Sequence, residues 1–222
     1  MSFPEKGKEE VFSISKKSGG LIFFGTPNFA VPSLKALLEN KENIMLVVTQ
    51  PDRPKGRGKT IQLSEVKQFA LENNLPVIQP EKIKEESFLK LLKELNPEAI
   101  IVVAYGKILP KEILNIPKLG AINLHASLLP KYRGSAPIQW ALIKGESITG
   151  VTTMLIDEGV DTGPILMQKE VVIKEEDDAV SLSNRLSNLG ADLLIETIKT
   201  VSYTHLRAHE TVLDLVCRLL LE

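Results

Sequence analysis

Cysteine is almost missing from this chain: among 222 residues there is one, Cys217, close to the end. A single thiol excludes an internal disulfide framework and a cysteine-built zinc site, and it fits a reducing compartment, with the cytoplasm as the expectation. Long apolar runs are missing too. Nothing approaches the roughly 18 consecutive apolar residues a membrane-spanning helix needs, so no membrane partner is expected. Residues 1–20 are rich in Lys, Glu, Ser and Gly and carry no apolar signal-peptide core; they read as a flexible extension. Neither sign of charge dominates, with 27 Lys and Arg against 28 Asp and Glu. No global field gathers polyanions, so binding one requires a local basic cluster. Histidine is scarce, three in all, and no Gly-x-Ser-x-Gly elbow offers a nucleophile.

What is present alternates between strand and helix signals. Leu21 to Phe24 is an apolar run stopped by Gly25-Thr26-Pro27. Leu34, Leu37 and Leu38 follow at helical spacing, with Pro32 or Ser33 suited to a helix start, and Ile44 to Val48 is a second run. Strand, helix, strand at this spacing is a βαβ unit with a right-handed crossover. Ser64 suits the cap of a helix that turns Val66, Phe69 and Ala70 inward, and Ser87 the cap of one carrying Phe88, Leu91, Leu92 and Leu95. Ala99 to Ala104 has the β-branched character of a central strand buried on both faces. Ala136 to Lys144 reads as a helix with Trp140 on its buried side. Gly150 to Ile156 and Ile165 to Ile173 read as strands, the second antiparallel at the sheet edge. A long helix starts at Asp177 or Asp178, aligns Leu182, Leu186, Leu189 and Leu193, and ends near Thr200. The predicted class is α/β: a Rossmann-like open twisted sheet, mostly parallel with antiparallel edge strands, with helices on both faces.

Chemistry concentrates around Ala121 to Ser135. Asn123 and His125 stand two apart on a strand, so both project from one face while Leu124 points into a core. An imidazole transfers protons near neutrality, and a side-chain amide donates to a carbonyl oxygen that becomes an oxyanion. Asp161, in the acidic loop Asp157 to Gly163, is placed to orient the imidazole or to accept its proton indirectly. Tyr105 follows the central strand, at the carboxyl end where α/β sheets hold ligands. With no covalent nucleophile in view, direct acyl-type transfer to an external nucleophile is expected.

Three competing readings fail on spacing. The Gly25-Thr26-Pro27 loop lacks Gly-x-Gly-x-x-Gly, and Pro27 removes a backbone donor. Gly58-Lys59-Thr60 imitates the end of a phosphate loop, but Arg53 stands where the motif needs glycine. His205 and His209 are spaced for a metal, yet position 206 is Leu where a metalloprotease needs Glu, and His125 with Asp161 supplies only two ligands. No metal is expected. The segment Gln50 to Thr60 carries Arg53, Lys55, Arg57 and Lys59 among Pro and Gly. It reads either as a solvated, mobile loop or as a flexible arm for a phosphate backbone.

The combination Asn123-x-His125-x-Ser127-Leu128-Leu129-Pro130-x-Tyr132-Arg133-Gly134 followed by Asp161-Thr162-Gly163 resembles the signature of formyltransferases that use 10-formyltetrahydrofolate. Phe23 to Pro27, Gln50 to Lys59, Val102 to Gly106 and Ala136 to Gln139 are similar to the branch of that family acting on initiator methionyl-tRNA. The likeness runs from about residue 21 to 200. It implies that the methionyl amine attacks the formyl carbon of the folate through a tetrahedral intermediate. Asn123 would then polarise the formyl oxygen, His125 would move protons, and Asp161 would position His125 and a relaying water. It further implies that Ser127, Leu128, Leu129 and Pro130 line the folate site with Tyr105, and that Arg53, Lys55, Arg57 and Lys59 meet the acceptor end of the tRNA. Neither metal nor nucleotide is implied; a cytoplasmic, bacterial-type or organellar monomer is. Formyl transfer to a small amine (a nucleotide sugar or glycinamide ribonucleotide) is the alternative, as is an inactive folate- or tRNA-binding module. The family usually adds a C-terminal β-barrel that grips tRNA. Residues 201–222 do not resemble it and read as a foreign junction or an extra helix.

Overall fold

The computed structural model describes residues 19–55 and 60–219. The flexible extension expected before Gly19, and Arg57 and Lys59, lie outside the described residues. Seven strands form one sheet: β1 (Leu21–Gly25), β2 (Ile44–Val48), β5 (Val77–Ile78), β6 (Ala99–Val103), β7 (Ala121–His125), β8 (Ile148–Leu155) and β9 (Ile165–Val172), in the order β5-β2-β1-β6-β7-β8-β9. From β5 to β7 all neighbours are parallel, while β7–β8 and β8–β9 are antiparallel. The expected architecture, antiparallel edge included, is the observed one.

The period of two sorts each central strand between two cores. Leu21 and Phe23 of β1, and Ala99, Ile101 and Val103 of β6, face one way, toward helices α1 (Val31–Glu39) and α6 (Ala179–Leu219). Ile22 and Phe24, with Ile100 and Val102, face the other way, onto Phe88, Leu92 and Leu95 of α3 (Glu86–Leu95) and Ile113 of α4 (Lys111–Leu114). Both faces are covered, which is why these strands are apolar at every position. Leu124 lies in the first core, against α6, where Gly190 makes room: a Cβ there would stand 2.7 Å from Leu124 Cδ2.

Local signals held in part. Ser64 caps α2 (Glu65–Glu72), its Oγ accepting from the Lys67 N–H at 3.2 Å. Ser87 does not cap α3. That helix starts one residue earlier, at Glu86, behind Glu85, and makes no side-chain cap bond. It closes on Asn96 in the left-handed region at φ 46°. Trp140, expected inside α5 (Pro137–Ile143), is 48% exposed; Ile138 and Ala141 are the residues that helix buries. The last helix does not end near Thr200 but runs to Leu219, since neither Gly nor Pro follows to stop it. Finally, the basic segment is built on a two-stranded antiparallel ribbon, β3 (Arg53–Lys55) with β4 (Thr60–Gln62), and is not a plain loop. A two-stranded ribbon tolerates Pro54 because only one edge of each strand is paired.

Candidate active site

Beside the switch between β1 and β6, where strand order reverses, a cavity of about 580 Å³ opens at the carboxyl ends of β6 and β7. Asn123, His125 and Asp161 line it together, with Val102, Ile138 and Met154 as apolar wall. The strand sets the first two on one face; the third arrives from the loop after β8, its backbone in the left-handed region at φ 50°.

Asp161 is the hub of the cluster. Its Oδ2 accepts from the Gly134 N–H at 2.8 Å and lies 3.4 Å from His125 Nδ1, while its Oδ1 accepts from Asn123 Nδ2 at 3.3 Å. His125 is buried, and its other nitrogen, Nε2, lies 2.9 Å from the Tyr132 carbonyl. A carbonyl only accepts, so Nε2 carries the proton. In the neutral ring Nδ1 is then the basic nitrogen, beside the Asp161 carboxylate. When Nδ1 gains a proton it forms an ion pair with Asp161 at once. Asn123 uses one amide N–H on Asp161 and keeps a second for a ligand oxygen. Among the described residues, no group of three or more His, Cys, Asp or Glu is arranged to hold a metal.

Strained backbone gathers here. Ala104, Tyr132, Ala136 and Asp161 have φ between 47° and 60°, and Gly106 and Gly134 have φ of 80° and 86°; all but Tyr132 line the cavity. Non-glycine residues hold that region only where the surroundings over-determine it, and such residues cluster at functional sites.

The other predicted residues fall elsewhere. Ser127, Leu128, Leu129 and Pro130 are not among the residues lining the cavity. They form its outer support, tied to β8 and β9. Thr152 Oγ1 donates to the Ser127 carbonyl at 2.6 Å and accepts from the Leu129 N–H at 3.2 Å, and Gln168 Nε2 reaches the Leu129 carbonyl at 3.0 Å. Ser127 Oγ donates inward to the Lys131 carbonyl at 2.6 Å. The Leu129–Pro130 peptide is cis. Tyr105 belongs to the wall, but its ring is turned into the core edge-on to Phe24, centroids 5.1 Å apart. Burial pushes its phenol up to about 12, and among the described residues its hydroxyl has no hydrogen-bond partner. Its carbonyl is engaged instead, accepting from Gln50 Nε2 at 2.7 Å. Arg53 and Lys55 lie on β3, Arg53 at the base of the ribbon opposite Gln62 and Lys55 at its far end opposite Thr60.

That base is clamped. Lys67 Nζ lies 2.5 Å from both Asp52 Oδ2 and Gln79 Oε1, and Gln79 Nε2 donates to Asp52 Oδ1 at 2.8 Å and to the Gln50 carbonyl at 2.7 Å. Burial disfavours the Asp52 charge, but the bonds from Lys67 and Gln79 outweigh it and hold the carboxyl below its ordinary value. Neither Lys67 nor Gln79 was marked by any motif.

The sequence profile of the formyl transferase family matches residues 20–198. The chain belongs to the formyl transferase family. The chain is 71% identical over 181 residues to the methionyl-tRNA formyltransferase of Thermodesulfovibrio yellowstonii, covering 82% of this chain and 59% of that protein. It is 57% identical over 180 residues to the enzyme of the same name from Caldanaerobacter subterraneus, covering 81% and 58%. It therefore spans a little under three fifths of the length of these relatives. Among solved structures, a phosphoribosylglycinamide formyltransferase from Streptococcus pneumoniae shares the fold at TM-score 0.69 and 21% identity, over 82% of this chain and 98% of that one. A sugar N-formyltransferase from Shewanella does so at 0.63 and 22%, over 85% and 71%. This fold thus serves proteins named for different acceptors, so the fold does not choose among them.

Proposed function

We propose that this chain transfers a formyl group from 10-formyltetrahydrofolate to the amino group of initiator methionyl-tRNA. The observation that carries the reading is the amide, imidazole and carboxylate of Asn123, His125 and Asp161 converging on one cavity. The folate donor supplies an electrophilic formyl carbon. Its fit rests on cavity volume, which lies in the range of small-molecule sites, and on a mostly apolar wall with few polar groups. Asn123 offers its free N–H to the carbonyl oxygen as negative charge develops there. His125 Nδ1 accepts the proton of the attacking amine, Asp161 stabilises the imidazolium that results, and the same proton returns to the folate nitrogen as its bond to the formyl carbon breaks and tetrahydrofolate leaves. Residues 127–130 act from behind, keeping the strand end and the turn at Tyr132 in register. The acceptor is favoured over small amines by the ribbon segment, where Arg53, Lys55, Arg57 and Lys59 fall within seven residues of the sequence in a chain whose formal net charge is -1. Residues 201–222, beyond the family match to residues 20–198, are read as lying outside the catalytic unit of residues 21–200. The reaction belongs in the cytoplasm, or in an organelle matrix.

The test is to offer the chain methionyl-tRNA, glycinamide ribonucleotide and an amino-sugar nucleotide in parallel, with formyl-labelled donor. Label on methionyl-tRNA alone, lost in His125→Ala, is the expected result. Label on a small amine instead would overturn the acceptor, and equal transfer by His125→Ala would overturn the chemistry.

A further inference from the structure

Glu146 takes no part in the reaction above, yet it is connected to the imidazole. It lies on the turn between α5 and β8, and its Oε1 accepts from the Tyr132 hydroxyl at 2.7 Å. Tyr132 is the residue whose carbonyl holds His125 Nε2 at 2.9 Å. Its backbone sits at φ 55°, which a bulky side chain does not adopt without restraint from outside. Glycine or asparagine would hold such a turn at less cost, but neither has a phenol that reaches Glu146. The restraints on either side are also visible: Ser127 Oγ on the Lys131 carbonyl, and the Gly134 N–H on Asp161. Lys131 Nζ flanks the Glu146 carboxylate at 3.1 Å. The Tyr132 hydroxyl first, and Lys131 next, hold that carboxyl below its ordinary value, so it stays an acceptor.

We infer that Glu146 is a positioning residue: by gripping the Tyr132 phenol it holds the left-handed turn in which the Tyr132 carbonyl fixes the Nε2–H tautomer of His125 and leaves Nδ1 toward Asp161. The inference rests on the reading of His125 as the proton acceptor. Its test therefore has a readout that needs no substrate. In the full chain, long-range ¹H–¹⁵N spectra of the imidazole, assigned with His125→Gln and recorded where the ring is neutral, report which nitrogen is protonated. Wild type shows the Nε2–H form. Tyr132→Phe and Glu146→Ala shift it toward a mixture of tautomers, and kcat for formyl transfer falls about tenfold with the donor KM unchanged, short of the roughly hundredfold cost of a 1 Å misplacement. Glu146→Gln restores both readouts, because its amide oxygen still accepts the phenol. Lys131→Met leaves both in place, which separates the hydrogen bond from the ion pair. A wild-type tautomer in both Tyr132→Phe and Glu146→Ala overturns the inference, whatever the rates. If wild type transfers no formyl to any acceptor, the functional reading fails by itself and the spectra still decide the role of Glu146.

Discussion

Replacing Asp161 with Asn removes one charge and one acceptor oxygen, and the two losses separate in experiment. At 3.4 Å from His125 Nδ1, a carboxylate stabilises an imidazolium by about 5 kcal/mol at an effective dielectric near 20, and by about 1 kcal/mol in bulk water. Asp161 is 17% exposed, which places the value between these limits, at about 2–4 kcal/mol. At about 1.4 kcal/mol per factor of ten, the proposed formyl transfer is expected to slow by about 30-fold to about 1,000-fold. The lost acceptor acts on the fold instead. An amide has one oxygen, so either the Gly134 N–H or the Asn123 amide then meets another N–H. That costs about 1–3 kcal/mol, and the melting temperature drops by about 2–4 °C for each kcal/mol in a chain of this size. Single-turnover transfer to methionyl-tRNA measures the first effect and thermal unfolding the second. A rate within about threefold of wild type, at any stability, would refute the assignment of Asp161 to the imidazolium.

Other outcomes follow from the same structure. Gly150→Ala places a Cβ 2.1 Å from the Lys169 carbonyl oxygen, so the β8–β9 pairing must shift; unfolding in denaturant should show a loss of about 1–3 kcal/mol, and an unchanged midpoint would contradict the close approach. Leu92→Ala, in the second core and fully buried, should cost about 2–5 kcal/mol in the same measurement. Asp52 is held below its ordinary value of 3.8. It thus adds stability above that pH which is lost as pH falls through 3.8 toward its folded value. Asp52→Asn should flatten this part of the acid unfolding curve, and a curve parallel to wild type would count against the clamp under the ribbon. Arg57→Ala should weaken transfer to methionyl-tRNA with a reduced dependence on salt; an unchanged rate and salt dependence would show that the arm does not act through the nucleic acid.

The layered α/β sheet was legible in residue types alone. Runs such as Ala99 to Val103 are apolar at every position because helices cover both faces, and Leu182, Leu186, Leu189 and Leu193 mark the helix that covers one of them. The pairing of Asn123 with His125 followed from the period of two, and Asp161 stood out as a carboxylate in an acidic, glycine-bearing loop before the resemblance gave it the same role. Where local chemistry misled, a longer-range effect had won. Ser87 is a good cap, yet α3 starts one residue before it; Trp140 is apolar, yet α5 buries Ile138 and Ala141 instead.

What this sequence determined by itself is therefore what depends on neighbours along the chain: element types, the faces of strands, and the motif residues proposed to carry chemistry. Tertiary structure alone decided which groups meet. The Tyr132 carbonyl selects the histidine tautomer, Asp161 spans Asn123, His125 and Gly134, and Glu146 grips the Tyr132 turn. Each of these contacts joins separate elements or loops, and a backbone carbonyl is carried by every residue type alike. Such contacts leave no periodicity to read, because their energies exist only once the sheet has brought the loops together.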